Sequence, residues 1–111
     1  MPEPSVPIAC TLSPDQADAR LAEFHALFAG HLVRLERPAP TRLRLVFAEE
    51  AGERAVRDLL AREQQCCAFL EVTVRTGGGE LLADLEVPEE AAPGLDGMAG
   101  IAWWAAPAAA R

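Results

Sequence analysis

Apolar and charged side chains alternate in RLRLVF, residues 42–47, and the same two-residue rhythm recurs in HLVRLER (31–37), FLEVTVR (69–75) and ELLADLEV (80–87). A period of two turns one face of an extended chain toward a core and the other toward water, so each stretch predicts a half-buried strand. The inward sets are Val33 and Leu35; Leu43, Leu45 and Phe47; Leu70, Val72 and Val74; and Leu81, Ala83, Leu85 and Val87. Pro38 and Pro40 mark the turn between the first two strands, and TGGG the hairpin between the last two. A shorter apolar run, IACTL at 8–12, predicts a further strand, with Pro7 tolerable at its start.

Between these the period lengthens to that of a helix. Ser13 can cap, Pro14 suits the first helical position and Gln16 can close a capping box. Ala17, Leu21, Phe24 and Phe28 follow at helical spacing, with Gly30 as the expected stop. Residues 49–65 give a second helix, with Val56, Leu59 and Leu60 as its stripe and Glu49 and Glu50 at its positive end. Leu95, Met98 and Ile101 outline a short third helix, which Pro93, Gly94, Gly97 and Gly100 weaken. The expected ordered core is therefore 6–101, with 102–111 as a tail.

Strand–helix–strand–strand–helix–strand is the α+β split pattern of the ferredoxin-like fold (βαββαβ), here with an added C-terminal strand and the short helix. In that topology the strand at 8–12 is central and the one at 80–87 an outer addition. Glu80, Asp84 and Glu86 would then guard an exposed edge. The end of the first strand also meets the end of the second helix, which brings Cys10 toward Cys66 and Cys67.

The chain has 111 residues, half of them apolar, enough for one folded domain spanning 1–111. Its net charge of -7 repels phosphate backbones, which argues against nucleic acid as a partner. No apolar run is long enough to span a bilayer, and the N-terminus lacks the pattern of a signal peptide. The expectation is a cytoplasmic protein, not attached to a membrane, with reduced thiols.

Three cysteines at one end of a sheet change the picture from fold to chemistry. Soft thiolates select Hg(II), Zn(II), Cu(I) or As(III), so Cys10, Cys66 and Cys67 are the candidate metal ligands. Thr11, Ser13 and the N–H groups of the first helix start would support a thiolate, and Glu63, three and four residues before the pair, would orient a ligand or take a proton. His25 and His31 lie at the far end of their helix and are not counted as ligands. An extended Cys66–Cys67 pair would split its side chains between two faces, whereas a helical one would keep both together.

The competing reading treats all three cysteines as small buried hydrophobes in a protein-interaction or dimerisation module, with the sheet or Trp103 and Trp104 as the contact. No Ser-His-Asp or Cys-His set converges, so the balance is against an enzyme, and no organic cofactor is called for. IACTLS and EQQCCAFLEVTV resemble a group of small bacterial domains with a C-x-L-S start and an E-x-x-C-C-x-F centre. These domains have no assigned activity. They occur alone or appended to regulators resembling the mercury-responsive MerR family. The resemblance covers roughly residues 8–87 and implies Cys10, Glu63, Cys66 and Cys67 as the site. A regulatory role would need a separate regulator as partner, since no DNA-binding segment is evident, and a homodimer is the partner expected of the interaction-module reading.

Overall fold

The computed structural model describes residues 14–107, and the strand expected at 8–12 lies outside them. Helix α1 (Pro14–His31) leads without a loop into β1 (Leu32–Ala39), which turns into β2 (Arg42–Ala48). A single 3-10 turn (Glu49–Ala51) precedes α2 (Glu53–Cys66), followed by β3 (Glu71–Gly77), β4 (Glu80–Glu86) and α3 (Ala92–Ala105). No described helix is long and apolar enough to cross a membrane.

The four strands form one antiparallel sheet in the order β1-β2-β4-β3. That order corrects the expected topology at its centre. The place between β2 and β3, assigned above to residues 8–12, is filled by β4, which pairs Leu45 with Ala83 on one side and Val74 with Ala83 on the other. Because β2 and β3 both run antiparallel to β4, they are parallel to each other. Joined by α2, they make a split β-α-β unit. Glu80–Glu86 is thus a central strand, and its outward acids do not guard an edge.

Those acids are instead charge partners on the polar face of the sheet. Arg44 donates Nε and Nη2 to Asp84 Oδ1 and Oδ2 at 2.7 and 3.2 Å, and Arg75 adds a bond of 3.3 Å. Arg34 pairs with Glu36 and Glu80. The guanidinium of Arg44 holds the Asp84 carboxyl below the ordinary aspartate value, against a smaller opposing effect of burial. A folded-state value below the unfolded one gives stability that is present at neutral pH and lost as pH falls below about 4. Asp84→Asn should therefore flatten the acid limb of a stability-against-pH curve measured by urea denaturation. An unchanged limb would show that the pair contributes nothing.

The opposite sheet face carries the core. Leu43, Leu45, Phe47, Leu81, Ala83 and Leu85 meet Phe24 and Phe28 of α1, Val56, Leu59 and Leu60 of α2, and Leu95 and Ala102 of α3. Phe28 stacks on Phe47 with ring centroids 6.2 Å apart. The expected alternation needs one correction in β1. A register shift between Leu32 and Arg34 leaves Val33 exposed and makes Leu32 the buried residue, as a bulge does when it inserts one unpaired position.

Two glycines also behave differently from their sequence signals. Gly30 does not end α1, which continues through His31 and passes directly into β1 at the buried Leu32. Gly52, with φ +89, instead breaks the stretch read as one helix from residue 49 and makes it a 3-10 turn followed by α2. The TGGG hairpin is confirmed, with Gly78 and Gly79 both at positive φ, as a tight two-residue connection requires. At the C-terminus, α3 is fourteen residues long despite its glycines and continues past residue 101. Packing overrides propensity there, since Ala102, Ala105 and Ala106 are all buried.

Candidate functional site

Glu63, Cys66 and Cys67 close the last turn of α2. A helix brings positions i, i+3 and i+4 to one side, and Cys67 still obeys this spacing. Its N–H donates to Glu63 O at 2.9 Å although its own dihedrals have left the helical region. The chain then turns, with Leu70 N–H donating to Cys67 O at 2.9 Å and Gln64 Nε2 donating to Leu70 O at 3.1 Å. Helix α2 ends at Cys66, but the bond from Cys67 N–H to Glu63 O keeps Cys67 at helical spacing from Glu63, so both sulfurs stay with the carboxylate. One ligand atom from each of Glu63, Cys66 and Cys67 lies within 4.8 Å of the others, an arrangement that could hold a metal ion.

The two thiols are not equivalent. Cys66 is 7% exposed and donates its S–H to Arg62 O and Glu63 O, both at 3.5 Å. Cys67 is half-buried and reaches Glu63 Oε2 at 3.6 Å. Their position at a helix C-terminus is electrostatically poor for anions, since unpaired carbonyls concentrate negative charge there. Arg20 of α1 offsets this. Its Nη1 donates to Glu63 Oε1 at 3.0 Å and to Cys66 Sγ at 3.7 Å.

Sequence reasoning missed Arg20. Its signal was available, because residues 20, 24 and 28 form an i, i+4, i+8 line in which an arginine extends a stripe otherwise made of phenylalanines. Both Arg20 and Glu63 retain only 15% side-chain exposure, so their ion pair is better shielded from water than those on the sheet face.

Cys10, Thr11 and Ser13 lie outside the described residues. Among the described residues, neither His25 nor His31 belongs to the Glu63–Cys66–Cys67 group. Beside the group is a pocket of about 100 Å³. Glu63 and Cys67 form its polar wall, while Phe69, Leu85, Leu95 and Met98 contribute to an apolar remainder.

Fold and site together define an α+β domain with a dithiol–carboxylate cluster at the junction of a helix and a strand. No family model, curated protein or solved structure matches the chain.

Proposed function

We propose that this protein binds a soft metal or metalloid ion, drawn from Hg(II), Zn(II), Cu(I) and As(III), for sensing, sequestration or delivery. The observation that carries the reading is the meeting of two sulfurs and a carboxylate oxygen within 4.8 Å. Thiolates supply the affinity for a soft ion, and Glu63 either accepts a thiol proton or completes the coordination sphere. Cys10 is a further ligand in this proposal, with Thr11 and Ser13 as supporting groups. The likeness to the C-x-L-S and E-x-x-C-C-x-F domains agrees with that set. The arrangement is ferredoxin-like in the sense that β4 takes the central role, and a regulator or a second copy of the chain would receive the signal or the ion.

One observation favours the alternative, an interaction module with structural cysteines. Cys66 donates its S–H to helix carbonyls and is buried, the usual behaviour of a packing cysteine. Native mass spectrometry after anaerobic incubation with each of the four ions separates the two. One retained ion per chain, lost on blocking the thiols, is the expected result. Absence of any adduct would leave the interaction module in front.

A further inference from the structure

The pocket next to the dithiol narrows the ligand class. A bare ion held by thiolates and a carboxylate has no use for an apolar cavity. Yet Phe69, Leu70, Leu85, Val87, Leu95 and Met98 line one that begins at Cys67 and Glu63. Its volume of about 100 Å³ is below the about 150 Å³ of a closed cavity that takes up a whole benzene, but the pocket is open to solvent on one side, so a ring tethered at arsenic can enter it in part. Trivalent arsenic with one carbon substituent matches both halves of this site. Two of its three valences take thiolates, and the third carries an organic group that needs an apolar place.

We propose that the preferred ligand is a monosubstituted trivalent arsenical, R–As(OH)₂, with arsenic on Cys66 and Cys67 and R in the pocket. The inference rests on the soft-ion reading above and specifies it further. Two As–S bonds form and two As–O bonds break. The two thiol protons leave with the two hydroxyl groups as water, and arsenic stays trivalent, so no oxidant or reductant is needed. Glu63 Oε2, 3.6 Å from Cys67 Sγ, is placed to take the Cys67 proton and pass it to a departing hydroxyl. Arg20 then faces the Cys66 sulfur and the Glu63 carboxylate with a compensating charge.

The test is titration of the reduced full chain with phenylarsonous acid, methylarsonous acid and arsenite. Cavity-filled variants Gly94→Leu and Ala91→Leu are titrated in parallel. Both positions line the pocket, and a Cβ at Gly94 meets nothing within 4 Å, so that variant is expected to fold. Burying a ring rather than a methyl should make the phenyl compound bind about tenfold tighter or more in the wild type. In the filled variants this ratio should collapse while methylarsonous acid still binds. Equal affinities in the wild type, or a phenyl preference that survives filling in both variants, would overturn the inference and leave soft-ion binding standing. Failure of all three arsenicals and of Hg(II) to bind would overturn both.

Discussion

Cys67→Ser should lower Hg(II) affinity on the order of a hundredfold or more, since a hydroxyl cannot replace a thiolate as a soft ligand. The same change should cost little stability, because Cys67 is half-buried at the end of a helix and Glu63 Oε2, 3.6 Å from its sulfur, can accept from a hydroxyl equally well. Cys66→Ser should lose affinity to a similar degree but behave differently without metal. Its hydroxyl enters a site only 7% exposed, with the Arg62 and Glu63 carbonyls as acceptors. The cost should fall near the lower end of the roughly 1–3 kcal/mol for a buried hydroxyl. Thermal melting with and without Hg(II) reads both effects. A ion that binds only the folded state adds about 2.7 kcal/mol at a hundredfold excess over Kd, and the serine variants should lose that increment. Equal increments in wild type and both variants would show that these thiols are not the ligands.

Phe28→Ala carries the largest expected loss of stability. The ring is fully buried, stacks on Phe47 at 6.2 Å and touches Phe24 at 5.8 Å between centroids. Truncating such a side chain removes its transfer energy and leaves a cavity, together about 3–5 kcal/mol. A small domain has only about 5–15 kcal/mol in total, so the variant should melt far below wild type or fail to fold. Phe28→Leu, which keeps most of the volume, should recover much of the loss. Guanidinium denaturation of the two variants checks this, and a loss below about 1 kcal/mol for alanine would mean that α1 relaxes into the gap.

Substitution of Trp104, rather than removal of the chain after residue 100, is the test of the self-association expected of a Trp103–Trp104 contact. Trp104 is 75% exposed, whereas Ala102, Ala105 and Ala106, which the truncation would also remove, belong to the core.

Much of this architecture was legible in the residues because its signals are local. Alternation in RLRLVF and ELLADLEV identified the two strands whose inward faces form the centre of the core, and two adjacent glycines at positive φ close the hairpin that TGGG announced. The i, i+3, i+4 spacing of Glu63, Cys66 and Cys67 already implied one side of one helix. What the pattern left open was whether Cys67 keeps that spacing at the helix end, and a single backbone bond from Cys67 N–H to Glu63 O holds it there although α2 itself stops at Cys66.

Strand order was a different kind of question. Residues 80–86 read as a half-buried strand in either topology, because alternation reports which side chains face the core and carries no information about lateral neighbours. Only three-dimensional pairing shows that Ala83 lies between Leu45 and Val74, which turns an expected edge into the centre of the sheet. Arg20 belongs to the same category. Its sequence neighbours made it another charge on a helix, and its meeting with Glu63 and Cys66, 43 and 46 residues away, exists only once α1 and α2 pack on one face of that sheet. Periodicity is written into consecutive residues and can be read from them. Adjacency between distant segments is settled by the free energy of the whole packed chain, so it was the tertiary structure that gave the dithiol its positive charge and its apolar pocket.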